Sequence, residues 1–210
     1  HLDRKAKKEI KKLIGTEPLA YWANWPDFIK SDTTDTWKST SSWHYVDLPA
    51  HMQKLSFISD LKSIDHPNLY TQIKEMELEL SNKSLSLEKR QIALRFLIHF
   101  IGDLHQPLHV GRDEDAGGNK ITVFWFNKKT NLHSVWDSEL VDFQKWSYTE
   151  YANNIDVLNK HQIESVESGT LEDWFFESHQ LADDIYDHSP ENANLSYGYN
   201  YLYFDKLNTQ

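Results

Sequence analysis

The segment HFIGDLHQPLH, residues 99–109, holds the densest group of side chains that could do chemistry. His99 and Asp103 are four residues apart, so on a helix both side chains leave the same face and can close on one cation. His133 and Asp137, in HSVWD, repeat this spacing. Two such pairs predict a cluster for two or more metal ions, an arrangement that hydrolases of phosphate esters use.

The same residues also allow a simpler interpretation. A lone His-x-x-x-Asp pair on a helix is usually a surface ion pair rather than a set of ligands. His99 and Asp103, however, lie in the most apolar segment of the chain, where ionisable groups are rarely left unpaired. A buried ion pair and a metal site therefore both stay open on the residues alone, and the metal site is somewhat favoured.

Three further features are weak by themselves. Asp27 follows a proline in WPD, where a turn accounts for it, and His44 stands between aromatic residues in WHYVD, where core packing accounts for it. The GGN sequence at 117–119 is typical of a tight turn before a strand, or of backbone that approaches a ligand closely. None of them identifies a site without further context.

The composition of the chain limits its function. The 210 residues include 22 basic and 32 acidic ones, for a net charge of −10, and 39% are hydrophobic, which is enough for a core. No apolar run approaches the roughly 20 residues that cross a bilayer. The acidic balance disfavours a protein that holds nucleic acid by a basic surface. Because there are 11 histidines and no cysteine, nitrogen and oxygen must hold any metal.

Hydrophobic periodicity predicts a mainly α fold, a single compact helical domain with a short β-hairpin. KITVFWF predicts a strand, and NKKTN before LHSVW predicts the turn of the hairpin. The tryptophan-rich segment 21–49 has too many turn formers for a long helix. Helices are expected over five segments, of which the third is apolar on nearly all sides and therefore central: 3–14 (basic, closed by Gly15), 68–80, 87–104, 137–163 and 170–187.

Five segments taken in order resemble the zinc-dependent single-strand-specific nucleases that are also 3′-nucleotidases, a family that shares its fold with bacterial zinc phospholipase C. They are ANWPDFIK, WHYVDLP, LIHFIGDLHQPLHVG, GGNKI and NLHSVWDS, and they span residues 23–138. Each segment is weak, whereas the ordered set is highly specific. The resemblance implies one nuclease-like domain over residues 1–210, from which the first and last segments of the family domain are missing.

The resemblance also implies a set of zinc ligands, because the family carries three zinc ions. Asp27, His44, His99 and Asp103 match the ligands of one zinc, and His109, His133 and Asp137 match those of a second. Asp103 also matches the carboxylate that bridges to the third zinc. The other ligands of that zinc come from the start of the family's chain, ahead of the segment where this sequence opens, so two zinc ions are expected here. His1 resembles a framework histidine, and His105 is not a family ligand.

Further positions match residues that contact substrate in the family. Asp27 would help to orient the nucleophile while it binds zinc, and Lys30 and Asn119 would contact the scissile phosphate. Tyr45 would stack on a base and Asp47 would hydrogen-bond to it, with Ala116 on the other wall of the base site. Without the resemblance, Lys30 is equally well a solvated surface lysine and Tyr45 is better explained by core packing.

The implied activity is zinc-dependent hydrolysis of single-stranded DNA and RNA to 5′-phosphorylated products, and removal of the 3′-phosphate from nucleotides. The substrates would be single-stranded nucleic acid and 3′-nucleotides, with neither a membrane nor a protein partner. Phosphate affinity would come from the metals, so binding should depend less on salt than it does for a protein with a basic groove. The alternatives are a zinc phospholipase C-like or phosphatase activity, or a non-catalytic metal-binding fragment. Kinship and the lack of cysteine place the protein in the periplasm or outside a bacterial cell.

Overall fold

A computed structural model describes the backbone of residues 2–209 and the side chains of residues 2–203. His1, expected as a framework histidine, lies outside the described residues. Helices dominate the fold, which confirms the predicted mainly α class with a short β-hairpin. The helices are α1 (Arg4–Ile14), α2 (Leu19–Ala23), α3 (Trp25–Phe28), α4 (Lys54–Ser63), α5 (Leu69–Ser81), α6 (Leu87–Leu104), α7 (Leu132–Ser134), α8 (Leu140–Phe143), α9 (Tyr148–Ile155), α10 (Lys160–Val166), α11 (Leu171–His188) and α12 (Tyr197–Thr209). None of the described helices is long and apolar enough to cross a membrane.

The chain forms two compact units. Unit 1 consists of His1–Val46 and Asp65–Asp103, and unit 2 consists of Asp47–Ile64 and Leu104–Gln210. Each unit contains an apolar cluster of its own. The expectation of a single domain over residues 1–210 stays a prediction.

Helix α1 of unit 1 is the basic amphipathic helix that the sequence predicts. Asp3 caps its first turn by accepting a backbone hydrogen bond of 2.6 Å, and Gly15 ends it with a φ of 68°. The buried side chains of Leu13 and Ile14 pack with Leu94 of α6. This contact fastens α1 to the helix that carries the first group of candidate ligands.

Helix α6 has the bounds that its periodicity predicts, and it is buried along much of its length. The rings of Trp25, Trp37 and Trp43 lie 5.6, 6.0 and 5.4 Å from that of Phe96. The tryptophan-rich segment folds around α6 as short turns, α2, α3 and two 3₁₀ helices, so it forms no long helix, as expected. Because the tryptophans pack at Phe96 and α1 packs at Leu94, α6 is covered on more than one side, which explains its apolar character.

Unit 2 contains the sheet, and here the expected hairpin needs a correction. Strand β1 (Thr122–Trp125) pairs antiparallel with β2 (Lys128–Asn131), so all of NKKTN except its first residue forms a strand rather than the turn. The turn is Phe126–Asn127, with φ values of 49° and 66°, a two-residue loop of the kind that matches strand twist. LHSVW begins a helix instead of a strand. Strand β3 (Asn194–Leu195), which the sequence does not predict, adds parallel to β1.

The helices of unit 2 also differ in part from the expectation. Helix α11 matches the predicted segment 170–187 and begins with a capping box between Thr170 and Asp173. The continuous helix predicted over 137–163 is wrong: a residue with φ of 58°, Lys145, interrupts it, and three shorter helices replace it. Helix α4 was not predicted, and it packs on α11 through Phe57, whose ring lies 5.4 Å from that of Phe176.

Candidate metal centres

Four side chains of unit 1 converge on one point. His99 and Asp103 leave the same face of α6, and His44 ends the 3₁₀ helix Asp35–His44. His44 Nδ1 lies 2.9 Å from both His99 Nε2 and Asp103 Oδ2, and His99 Nε2 lies 3.1 Å from the same oxygen. Asp27 of α3 has carboxylate oxygens 4.0 Å from His44 Nδ1 and 3.7 Å from His99 Nε2. The structure thus brings together the four residues expected around a first metal ion.

A backbone carbonyl selects the nitrogen that His99 offers to this group. His99 Nδ1 lies 2.6 Å from the carbonyl oxygen of Ala23, and only a protonated nitrogen can donate a hydrogen bond there. A neutral imidazole then keeps its lone pair on Nε2, which faces His44 and Asp103. A side chain held in this way is prepared to bind a cation.

The electrostatics show what competes with a cation at His99. Burial lowers the pKa of His99, but the hydrogen bond and charge of Asp103, the Ala23 carbonyl and the charge of Asp27 together outweigh burial. The net effect raises the pKa above its ordinary value of 6.5. A proton and a metal ion therefore compete for the same nitrogen.

The geometry of this group fits zinc. Zinc binds imidazole nitrogen and carboxylate oxygen at roughly 2.0–2.2 Å, so its tetrahedral ligand atoms lie roughly 3.3 Å apart. The separations of 2.9 to 4.0 Å bracket that value. The side chains of His44 and His99 are 6% and 10% exposed, whereas that of Asp27 is 54% exposed. The group is therefore closed on the histidine side and open to solvent at Asp27.

Lys30 lies at the open side of the first group. It follows Asp27 by three residues, and its Nζ donates to Asp27 Oδ1 at 2.7 Å. The ion pair keeps the ammonium group beside the candidate ligands. From there it can contact an oxygen of a phosphoryl group held at the same point.

A second group forms entirely within unit 2. His109 comes from the 3₁₀ helix Pro107–Val110, His133 from α7, and Asp137 from the π turn Val135–Glu139. Each offers one ligand atom, and these atoms all lie within 4.8 Å of one another. His109 Nε2 is 3.7 Å from Asp137 Oδ1, and the two imidazole rings stack with centroids 5.2 Å apart. The three residues expected around a second metal ion are thus also together.

In the second group, as in the first, a main-chain carbonyl orients one of the histidines. His133 Nδ1 lies 2.7 Å from the carbonyl oxygen of Gly117, so Nδ1 carries the proton and Nε2 keeps its lone pair. The side chain of His109 is only 12% exposed, whereas that of Asp137 is 47% exposed. Both groups therefore combine shielded imidazoles, one of them oriented by a main-chain carbonyl, with a carboxylate open to solvent.

The GGN turn holds the carbonyl that orients His133. Gly117 and Gly118 have φ values of 59° and 80°, which favour glycine. A Cβ on Gly117 would lie 2.5 Å from the carbonyl oxygen of Leu108, so no larger residue fits. Asp115 braces the turn by accepting hydrogen bonds from Gly118 N at 2.7 Å and from the Tyr186 hydroxyl at 2.9 Å. The tight-turn interpretation of GGN is confirmed, whereas the close approach of this backbone to a bound ligand stays a prediction.

The expected substrate-contacting residues lie in both units. Tyr45, in unit 1, has 45% of its surface exposed, which does not fit the core-packing interpretation. In unit 2, Ala116 is exposed with a φ of 54°, and its carbonyl accepts a hydrogen bond of 2.9 Å from the Asn119 amide. Asp47, also in unit 2, has a buried carboxylate oxygen, Oδ1, with no hydrogen-bond partner within the described part of the chain. His105 lies outside both groups, with its ring near that of Trp174.

Comparison with known proteins identifies the family of this chain. The family model described as S1/P1 Nuclease matches residues 1–210. The chain belongs to the S1/P1 nuclease family. It is 35% identical to Endonuclease 4 of Arabidopsis thaliana over 79% of this chain and 56% of the relative. It is 34% identical to Nuclease P1 of Penicillium citrinum over 72% and 54%, and 33% identical to Nuclease S1 of Aspergillus oryzae over 65% and 48%.

This S1/P1 nuclease chain spans about half the length of the curated relatives it matches. Within that span, the structure shows positioning groups that the sequence pattern does not indicate. They are the carbonyls of Ala23 and Gly117, which carry no side-chain signal, and the contact between Asp115 and Tyr186, which are 71 residues apart. The glycines of GGN were the one signal in the sequence for the Gly117 contact.

Proposed function

We propose that this protein is a zinc-dependent phosphoesterase that cleaves single-stranded DNA and RNA to 5′-phosphorylated products and removes 3′-phosphates from nucleotides. The observation that carries the proposal is the pair of histidine–aspartate groups, each with one histidine oriented by a main-chain carbonyl. The relatives' names, endonuclease and nuclease, support the class of substrate. Zinc dependence is general in the family.

The proposed zinc ligands are the seven side chains of the two groups. Zinc bound there would supply Lewis acidity toward phosphoryl oxygens and would activate water. The protein's own part is to present unprotonated nitrogens and to exclude water on the histidine side, since the side chains of His44, His99 and His109 are at most 12% exposed. The open carboxylates, Asp27 and Asp137, leave a solvent-facing side for substrate at each group.

Three residues are proposed to act on the phosphate. Asp27 would bind metal through Oδ2, the carboxylate oxygen near His99, and its Oδ1 accepts the hydrogen bond from Lys30. Lys30 would place positive charge on a non-bridging phosphoryl oxygen, where charge increases in the transition state. Asn119, fixed by its hydrogen bond to Ala116, would donate a further hydrogen bond from its amide.

Preference for single strands is proposed to come from the base contacts. An unpaired base exposes its face, so the exposed ring of Tyr45 can stack on it, whereas a duplex hides that face. Asp47 would accept a hydrogen bond from the base edge, and Ala116 would contact the base on its other face. The exposed phenol ring is the feature that favours nucleotides over lipid substrates.

The first test is zinc content by elemental analysis after exhaustive dialysis. Two zinc ions per chain are expected, and one in each of His99→Ala and His133→Ala. His161→Ala is the matched control, because His161 is exposed on α10 and belongs to neither group. A chain that binds no zinc, or variants that lose none, would contradict the metal assignment.

The second test compares substrates on the zinc-loaded protein. Single-stranded DNA, RNA and a 3′-nucleotide should be hydrolysed, while duplex DNA and a phosphocholine lipid should be poor substrates. Faster hydrolysis of the lipid would favour the phospholipase alternative. Zinc binding without hydrolysis of any of these substrates would identify a non-catalytic metal-binding chain.

A further inference from the structure

The basic face of α1 contrasts with the charge of the whole chain. The chain has a net charge of −10, yet six of the eleven residues of α1 are basic and only Glu9 is acidic. At about 100° per residue, the six cations fall on one side of the helix, opposite the apolar stripe. All six are exposed: Arg4, Lys5, Lys7, Lys8, Lys11 and Lys12. These six residues are called the basic face below.

Few of these charges are used within the protein. Lys12 pairs with Glu9, and that carboxylate also feels the charges of Lys8 and Lys83, which together with the Lys12 hydrogen bond lower the pKa of Glu9. Within the described part of the chain, the other five cations of the basic face form no ion pair. They are therefore available to an external anion.

Lys11 and Lys12 lie in the last turn of α1, where the helix dipole favours cations, but the other contacts of the basic face cost stability. The first turn of α1 contains no acidic residue, so its cations oppose the positive end of the helix dipole. The pairs Arg4–Lys8 and Lys7–Lys11 also place like charges four residues apart, which destabilises a helix. A local conflict of this kind is expected where residues serve a function rather than the fold.

The burial of the apolar face of α1 distinguishes between a membrane and a soluble polyanion as the partner of the basic face. A basic amphipathic helix can lie on a membrane only if its apolar stripe is free to enter the lipid. In α1, Leu13 and Ile14 are 6% and 8% exposed and pack with Leu94 of α6. The helix can therefore offer charge but no apolar stripe, which favours a soluble polyanion over a bilayer.

We infer that the basic face of α1 binds the phosphate backbone of single-stranded nucleic acid outside the metal centres and so raises the affinity for long substrates. The inference rests on the proposed function for the choice of polyanion. Helix α1 packs on α6, and α6 carries His99 and Asp103, so unit 1 holds both the basic face and the first candidate centre. A short substrate would occupy the centre alone. A long strand would also reach the basic face.

The test measures binding of a fluorescein-labelled long oligothymidylate by anisotropy as a function of salt concentration. The double variant Lys8→Gln, Lys11→Gln should bind more weakly at low salt. Its log–log salt slope should be smaller by about 1.4, the value for two fewer phosphate contacts on a single strand. The matched control is Lys128→Gln, Lys129→Gln, which removes the same charge from exposed positions of β2 and should keep the wild-type slope.

A second measurement separates the basic face from the metal centres. Hydrolysis of a 3′-mononucleotide by the α1 variant should be unchanged, and its melting temperature should be equal to that of wild type or higher. Unchanged affinity for the oligothymidylate would overturn the inference. So would an equal loss on the mononucleotide, or a loss confined to anionic phosphatidylserine vesicles. If the wild type hydrolyses nothing, the proposed function fails, and the anisotropy result still decides whether the basic face binds nucleic acid.

Discussion

At the scale of single residues, we propose that the ion pair between Lys30 and Asp27 couples metal binding to phosphate binding. Lys30→Ala should reduce kcat by roughly 10²–10³, the usual effect of losing one group that stabilises transition-state charge. Zinc content should stay the same, because Lys30 is no ligand. Steady-state kinetics on a 3′-nucleotide together with elemental analysis check this. Lys30→Arg keeps the charge and should restore much of the rate, whereas equal loss in both variants would contradict a role for the charge.

Asp47 is the residue whose titration should be visible in stability. Burial, and after it the charges of Asp113 and Asp115, raise the pKa of Asp47 to about 6, with the charge of His109 acting in the opposite direction. Because the folded state binds this proton more tightly than the unfolded state, the free energy of unfolding falls as pH rises from about 3.8 to about 6. The titration of Asp47 lowers the free energy of unfolding by at most about 3 kcal/mol over this range.

Urea unfolding of the chelator-treated protein across that pH range tests this expectation. Relative to wild type, Asp47→Asn should gain stability as the pH rises, because it has no charge to bury. Asp60→Asn is a suitable control, since Asp60 is exposed on α4. Parallel curves for wild type and Asp47→Asn would show that Asp47 titrates normally.

At the scale of elements, hydrophobic periodicity correctly predicted the buried helix α6. It failed at the hairpin and at residues 133–137, where turns determine the path of the backbone. The bounds of α6 follow from its apolar pattern, and its four-residue spacing placed His99 and Asp103 together. The hairpin turn was misplaced because Phe126, a bulky residue, has a positive φ that residue type does not indicate. Asp137 reaches His133 through a π turn, although LHSVW was expected to form a strand of the hairpin.

The GGN turn is the element on which the second centre depends. Gly117→Ala should lower zinc content from two ions to one, because the added Cβ meets the Leu108 carbonyl and displaces the carbonyl that orients His133. Elemental analysis checks this. Gly198→Ala is the matched control, since that glycine is exposed in α12 with open space around its Cβ. Full zinc occupancy in Gly117→Ala would show that the carbonyl is not needed.

At the scale of the whole molecule, an acidic composition is compatible with the proposed nucleic-acid binding because six cations are concentrated on the basic face of α1. Composition alone disfavoured a nucleic-acid binder, and the ordered motifs were needed to reverse that conclusion. The convergence of ligands from separate segments could not be derived from composition, because His44 and His99 are 55 residues apart and meet only in the fold. The resemblance supplied these pairings, and the structure brings the residues of each group together.

Zinc binding should reverse the direction in which the stability contributed by His99 changes with pH. In the metal-free protein, the raised pKa of His99 means that the stability from its protonated form is complete below 6.5 and is lost as pH rises through the folded value. In the zinc-loaded protein, binding requires the unprotonated nitrogen, so zinc stabilises more as the pH rises. The difference in melting temperature between zinc-loaded and chelated protein should therefore widen from pH 6 to pH 8, as calorimetry can measure. In His99→Ala this widening should be smaller than in the control His161→Ala, and an equal widening in both would assign the effect to other groups.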